Sequence, residues 1–454
     1  MAQIQFHGIG YVAALQGCMS EPRYLGRWKA SYTSRFVSLF FVRCTERYLD
    51  VGGKIAFVMP MAALSRGQFK KFMTGSFIGR GDIENVRVEF SKAWKFDSSV
   101  KPLFPVPSCV LFAARVSDPG RPLSAITAYT GELPMRDSHL IDARKHLTVV
   151  ANTAPKSAFN GHAHYKRKFK QGATITPRKF FFVEEEPSGR IGSNRRAPLV
   201  RSRVSNQDKK PWKDLPGLTG NIEAEFLHQV ALGTSIAQFR LLTTHLCILP
   251  LKPDSDELMD SSAAMSDGFS HVSRWMADAE RLWDSNGSGR MTLKEQLDYY
   301  GKLTAQYPLA ANRVVYAKAG VRPVAAVISD PRVVIDHKLY WAEARSKEEA
   351  QYLSGILNSA LLHQRVEHLQ AEGQFGKRDL DKLMVSLDIP KFYAENNAQA
   401  RIVAIVARAE RIAASVEIDE PERFQAARKK ISNSLIEANI LAEMDIAISE
   451  LMPI

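Results

Sequence analysis

Cysteine is scarce: Cys18, Cys44, Cys109 and Cys247 are the only four in 454 residues, far apart, with no CxxC pair and no zinc-like spacing. That excludes a disulfide-stapled scaffold and fits reduced thiols in a cytoplasmic protein. No run of about 18 apolar residues occurs and no charged-then-apolar leader is found, so neither a helical membrane span nor secretion is expected. The usual enzyme signatures are missing as well: there is no G-x-S-x-G, no P-loop and no H-E-x-x-H. His162 and His164 lack Cys or acidic companions at ligand spacing, which argues against zinc. Gly8-Ile9-Gly10-Tyr11-Val12-Ala13 fits G-x-G-x-x-A, but no acidic residue closes a second strand about 20 positions later, so a dinucleotide site is not expected.

Acidic residues are also in deficit. Lys plus Arg number 61 against 48 Asp plus Glu, a formal charge of +13. The excess is localised: Gly161 to Leu215 holds 14 Lys plus Arg against 5 Asp plus Glu, a difference of +9. A basic run is ordinarily a solvated face or flexible tail. Here Tyr165, Phe169, Phe180, Phe181, Phe182 and Trp212 are interleaved with it, which points to a folded basic surface of the kind that neutralises phosphates.

What is abundant is apolar patterning, enough for two or three domains. Tyr48 to Leu64, YLDVGGKIAFVMPMAAL, ends a helix at a Gly-Gly break, runs through an apolar strand from Ile55 to Met59, and restarts as a helix after Pro60. A strand without polar alternation is expected in a parallel sheet covered by helices on both faces. The preceding helix spans Tyr32 to Tyr48. The following one uses Met61, Leu64 and Phe72, carries Lys70 and Lys71, and stops at Gly75. Asn85 to Phe90 and Pro107 to Arg115 form two further strands, paired antiparallel at the sheet edge through a short linker.

This order, together with the pair Phe104-Pro105, resembles the back half of the catalytic domain of adenine-specific DNA methyltransferases of the restriction and phage-defence type. The resemblance implies that Phe104 and Pro105 stack on an adenine flipped from the duplex, an interaction worth about 1 to 3 kcal/mol per base. It extends to YKRKFKQGATITPRKFFFV (Tyr165 to Val183), similar to the opening of the family's target-recognition domain, and to GQFGKRDLDKL and LDIPKF, similar to its end. The residues placed near DNA are Lys166, Arg167, Lys168, Lys170, Gln171, Arg178, Lys179, Arg201, Arg203, Lys377 and Arg378. The family's acidic-Pro-x-x-Gly-x-Gly loop for S-adenosylmethionine and its Asn-Pro-Pro-aromatic loop do not occur; the only Pro ahead of residue 28 sits in Glu21-Pro22-Arg23-Tyr24. S-adenosylmethionine, the cofactor implied, is therefore expected to be bound mainly by residues absent from this chain. The partners implied are double-stranded DNA and a separate N-terminal methyltransferase half.

The expected fold class is α/β: the distal half of a Rossmann-like methyltransferase sheet, an α+β target-recognition domain, and C-terminal helices. The expected divisions are 1–118 for the partial catalytic domain, 119–160 for a linker, 161–395 for recognition and 396–454 for a helical pair. Within the recognition part, Asn221 to Leu232 is expected as an amphipathic helix, Phe239 to Leu251 as strand with His245 in the core, Arg313 to Glu343 as three strand-like runs, and Lys347 to Gln370 as helix. Asp284 to Glu295, between two helices, fits the calcium-loop template with Gly289 at its sixth position, but only two ligands would be carboxylates, a single unpaired loop is unusual, and a Gly/Ser/Asn helix connection is the ordinary explanation. Two other functions stay open: a non-catalytic DNA-specificity protein and an RNA-binding protein.

Overall fold

The computed structural model describes residues 32–64, 69, 71–78, 85–104, 106–153, 163–186, 194–204, 208–367, 370, 372–373, 376–377, 380–419 and 423–452. The expectations placed on Gly8 to Ala13, Glu21 to Tyr24, Lys70, Pro105, His162 and Arg378 lie outside the described residues, as do those on the side chain of Lys377. The chain divides into two compact units, Met1–Asn160 with Ala371–Gly376, and Gly161–Gln370 with Lys377–Ile454.

The first unit is one sheet with a helix on it. Helix α1 (Tyr32–Tyr48) precedes β1 (Lys54–Pro60), β2 (Ser76–Phe77), β3 (Val86–Lys101), β4 (Ser108–Arg115), β5 (Ile126–Glu132), α2 (Leu140–His146) and β6 (Thr148–Thr153). The strands lie in the order β1-β4-β3-β5-β6, with β2 on β3. Because β4 is antiparallel to both β1 and β3, those two run parallel to one another. Phe41, fully buried on α1, anchors the helix to the sheet: its ring centre lies 5.5 Å from Phe57, 5.3 Å from Phe72 and 5.7 Å from Phe90. Burying a side chain of this size contributes about 1.5 to 3 kcal/mol.

Four expectations are corrected here. The strand expected in a parallel sheet and buried on both faces pairs antiparallel with β4 at the end of the sheet order and buries one face: Ile55, Phe57 and Met59 alternate inward, while Ala56 and Val58 are exposed. The helix expected after Pro60 is, where described, two 3-10 turns, Met61–Leu64 and Phe72–Thr74, the second ended by left-handed Gly75 whose N–H bonds Phe72 O. The stretch expected as linker supplies β5 and β6, both hydrogen-bonded into the sheet. β3 and β4 do pair antiparallel, but β4 lies inside the sheet and β3 runs on to Lys101 where a linker was expected.

The second unit carries β7 (Lys170–Gln171), α3 (Arg178–Phe181), β8 (Val183–Glu185), β9 (Leu199–Ser202), β10 (Thr219–Asn221), β11 (Leu227–Ala231), β12 (Ile236–Ala237), β13 (Arg240–Leu241) and β14 (His245–Ile248). Helices α4 (Ser261–Ser266), α5 (Ser270–Asn286) and α6 (Leu293–Leu297) follow, then β15 (Arg313–Ala317), β16 (Ala325–Ile328), β17 (Val333–Ile335) and β18 (Leu339–Glu343). The chain closes with α7 (Lys347–Asn358), α8 (Ala360–Glu367), α9 (Asn397–Ser415), α10 (Phe424–Glu437) and α11 (Ile440–Leu451). Strands β16-β15-β18-β7 form one sheet and β14-β11-β17 another.

The strand runs between Arg313 and Glu343 fall where the alternation places them. The helix expected over Asn221 to Leu232 is instead a turn and β11, because Leu227 to Ala231 bonds to β14 on one side and β17 on the other, and Phe226, Val230 and Ala231 are fully buried. Tertiary pairing here overrides a helical apolar pattern. The expected helix from Lys347 breaks at extended Ser359, and the last tail helix breaks at left-handed Asn439. The tail is not a separate pair: Ile402, Val406, Ile431 and Met444 share one buried cluster with Tyr165, Tyr352 and Tyr316.

The segment QGATITPR folds for a mechanical reason. Gly172 N–H bonds Leu339 O at 3.0 Å, and a Cβ on Gly172 would stand 2.3 Å from Ile335 O and 2.4 Å from Asp336 O. Only glycine permits that approach of two backbones. We expect Gly172→Ala to lower the unfolding free energy by about 2 to 3 kcal/mol in a denaturant titration; an unchanged midpoint would show that β7 is not held by this contact.

Candidate nucleic-acid interface

The basic segment separates into cations that hold the fold and cations that face outward. Arg178 belongs to the first group and corrects the expectation placed on it. It is buried, its Nη2 lies 3.7 Å from Asp336 Oδ1, and its guanidinium sits 5.3 Å from the Phe182 ring centre, so it does not reach a phosphate. The backbone N–H groups of Arg178 and Lys179 both bond the Asp208 carboxylate, at 3.0 and 3.1 Å. Lys179 Nζ donates to the carbonyls of Lys213 and Leu215. Arg201 is exposed but paired with Glu184 at 3.6 Å and Glu186 at 3.2 Å. Arg203 is paired with Glu184 at 3.6 Å and touches His245 Nδ1.

Lys168 is intermediate, 3.8 Å from Glu349 Oε1 and 5.2 Å from the Tyr165 ring centre. Burial alone would raise the Glu349 carboxyl, but hydrogen bonds from Arg345 and Tyr165 and the charge of Lys168 outweigh it and hold the group below its ordinary value. That local network fixes the turn His164–Arg167, leaving Lys166 and Arg167 exposed.

From this turn cations continue beside β7 and β18, exposed at Lys166, Arg167 and Lys170 and half-buried at Lys302 and Lys382. Lys170 is exposed, with Nζ 5.5 Å from the Trp341 ring centre across the strand pair. Gln171 Nε2 donates to His337 O at 2.8 Å, while its Oε1 accepts from Lys302 Nζ at 3.1 Å. Gln171 therefore positions a lysine rather than standing free to read a base. Lys382 lies 5.9 Å from the Tyr340 ring centre. The Lys302 ammonium is pushed below its ordinary value by burial and then by Lys318; the Lys382 ammonium by burial and then by Lys166. Cations held close enough to repel one another are what a polyanion relieves.

Lys302 and Lys382 were not singled out by sequence reasoning, being far from the basic segment along the chain. The nearest signal was Asp298-Tyr-Tyr-Gly-Lys302, a tyrosine pair beside glycine and lysine.

No known protein family matches this sequence, and no curated protein does. Three solved structures resemble it in loose outline. The Type IIL restriction-modification enzyme MmeI in complex with DNA is 9% identical, with a TM-score of 0.47 over 98% of this chain and 52% of that one. The type IIG restriction endonuclease BpuSI is 12% identical, with a TM-score of 0.28 over 96% and 51%. The ATP-dependent Type ISP restriction-modification enzyme LlaBIII bound to DNA is 8% identical, with a TM-score of 0.37 over 92% and 29%. The chain thus spans about half the length of the first two and less of the third.

In the first unit, Phe104 sits in the connection from β3 to β4. That connection meets the carboxyl end of β1, where Met61 N–H bonds Pro107 O at 3.1 Å and Pro60 pairs with Ser108. Phe104 is half-buried and ends a row of rings on the sheet face away from α1: Phe96 lies 6.0 Å from it and stacks on Tyr129 at 5.5 Å, and Trp94 lies 4.6 Å from Phe112.

Asp284 to Glu295 forms a connection between two helices. Asp284 and Asn286 lie on α5, with Asn286 Nδ2 donating to Leu282 O at 2.9 Å. Glu295, the twelfth position, is spent on a capping box with Thr292, whose N–H it accepts at 2.8 Å. Glu295 thus serves the start of α6, as in an ordinary helix connection. His245 is half-buried rather than core, and burial, then Arg203, push its imidazole down to about 4. Among the described residues no cluster of three His, Cys, Asp or Glu side chains is placed to hold a metal, and no helix is long and apolar enough to cross a membrane.

Proposed function

We propose that this chain grips duplex DNA and serves as the recognition portion of a site-specific DNA adenine N-methyltransferase whose donor-binding half is a separate polypeptide. The observation that carries the reading is the exposed group Lys166, Arg167 and Lys170, in the turn before β7 and on that edge strand, with Lys302, bonded to Gln171, and Lys382 half-buried nearby. Cations on a fixed surface release counterions on meeting phosphate, and affinity then falls steeply with salt.

The first unit supports the finer part of the proposal. Ala56 and Val58 on β1, with Val110, Phe112 and Trp94 on the neighbouring strands, leave an apolar sheet face incompletely covered. The outer edge of β1 is unpaired among the described residues. A strand apolar on both faces at the edge of a sheet suits one that continues into another polypeptide. S-adenosylmethionine offers a ribose diol and an ammonium that carboxylates ordinarily bind. The rim from Met59 to Met61 and Phe104 to Ser108 contains no acidic residue, so it does not fit that cofactor. The contribution assigned to this unit is the ring of Phe104, stacked on the extruded adenine.

Two measurements test the proposal. In a fluorescence titration of duplex DNA, replacing Lys166, Arg167 and Lys170 together by glutamine is expected to flatten the logarithmic salt slope by about 2 to 3, close to 0.9 per lost phosphate contact. Arg178→Met is expected to leave the slope alone while costing about 3 kcal/mol of stability, since it strands the buried Asp336. An unchanged slope in the triple variant would remove this surface from the interface. Co-expression with the polypeptide encoded immediately upstream is expected to give methyladenine in plasmid DNA only when both chains are present. Labelled S-adenosylmethionine bound by this chain alone would contradict the division of labour, and DNA binding without methylation under any pairing would favour a non-catalytic specificity protein.

A further inference from the structure

Between α5 and β15 the second unit presents an aromatic pair beside a cleft, and the grip on phosphates described above gives neither a task. Tyr300 is 72% exposed and held in left-handed backbone, φ 61 and ψ 28, followed by Gly301 at φ 63. A tyrosine adopts that geometry only where its surroundings impose it, and such positions concentrate at functional sites. Asp298 imposes it here. Its Oδ1 accepts the N–H groups of Leu303 at 2.8 Å and Thr304 at 3.1 Å, and its Oδ2 accepts the Thr304 hydroxyl at 2.8 Å. The Tyr299 ring centre lies 4.3 Å from that of Tyr300, and Lys302 Nζ stands 5.9 Å from each.

The cleft beside the pair has a volume of about 520 Å³ and is lined by Tyr299, Tyr300, Met291, Arg290 and Lys294, with Glu295 and Asp298. Both carboxylates already accept hydrogen bonds from the chain, Glu295 through Oε2 from Thr292 and Asp298 from Leu303 and Thr304. The exposed ring beside the cleft is that of Tyr300, with the Met291 thioether and the cations Arg290 and Lys294 lining it and Lys302 alongside. Pockets of about 300 to 1,000 Å³ hold small ligands, and ring faces beside cations receive a base together with its phosphate. An acidic peptide would satisfy the cations and leave the ring faces unused.

We propose that this cleft holds one unstacked base of the bound nucleic acid against Tyr300, with the flanking phosphate met by Arg290 and Lys294. The assignment rests on the reading of the chain as a DNA-binding protein and adds a second base-contacting position, on the recognition unit rather than on the sheet that carries Phe104.

The probe is a duplex carrying a single extrahelical 2-aminopurine, compared with the same duplex fully paired, using the full chain. The wild-type protein is expected to bind the extrahelical duplex about tenfold more tightly, within the range of base-aromatic stacking, and to quench the 2-aminopurine. Tyr300→Gly removes the ring while relieving the backbone; combined with Phe104→Ala, which removes the stacking ring of the first unit, it is expected to abolish the preference and the quenching that Phe104→Ala alone retains, with affinity and salt slope for paired duplex as in Phe104→Ala alone. Tyr300→Phe keeps the ring and is expected to retain both. Preference and quenching that survive in the double variant as in Phe104→Ala alone would overturn the assignment while leaving DNA binding intact. Equal wild-type affinity for the two duplexes would overturn it as well. A wild-type protein that binds neither duplex would overturn the assignment and the DNA-binding reading together. Polyglutamate binding that depends on Tyr300, without duplex binding, would assign the cleft to a protein partner instead.

Discussion

The fully buried carboxylate of Asp336 organises the second unit. A charge taken out of water is tolerated only with partners on every side, and Asp336 draws them from separate parts of the chain. Its oxygens accept the N–H of Lys338 at 2.9 Å and face the His337 ring at 3.0 Å and the Arg178 guanidinium at 3.7 Å. Its own N–H bonds Ala231 O at 3.0 Å, tying β11 to the turn between β17 and β18. Holding Arg178 inward fixes the strand-to-helix segment from Gly172 to Phe181. With Gly172 pressed on Ile335 and Asp336, Lys170 is left on the outer edge of the sheet. The outward cations are therefore placed by an inward one.

That division explains why part of the interface was legible in the sequence and part was not. A count of lysines and arginines locates the basic segment but does not distinguish Lys166, which is exposed, from Arg178, which is buried against a carboxylate 158 positions later. Gln171 carries a similar lesson: it was expected to lie near DNA, and its amide instead bridges His337 O and Lys302 Nζ. Lys302 and Lys382 join the surface only through the pairing of β7 with β18 and the packing around Tyr340, information that no local window holds.

The fold was legible where a local rule met no competitor. Alternation placed β15 to β18, and helical spacing placed α1, α7 and α9. It failed at β11, where two neighbouring strands claimed an apparently helical stretch, and at Asn439, where a left-handed residue divides a continuous apolar stripe into α10 and α11. In the first unit the apolar character of Ile55 to Met59 was legible, but apolarity on two faces does not say what covers the second. In the structure α1 takes one face, and the other keeps Val58 and a row of rings ending at Phe104. An apolar face and an open strand edge at the same strand are the physical content of the proposed partner half.

The claim on which the account depends is that duplex DNA lies along the outward cations of β7, β18 and the loops beside them. Lysine acetylation of the full chain with and without duplex DNA, quantified by mass spectrometry, tests it most directly. The account predicts protection of Lys166, Lys170 and Lys302 on binding, with Lys429 and Lys430 on α10 labelled as before. Protection confined to α10, or none at those three lysines at saturating DNA, would contradict it.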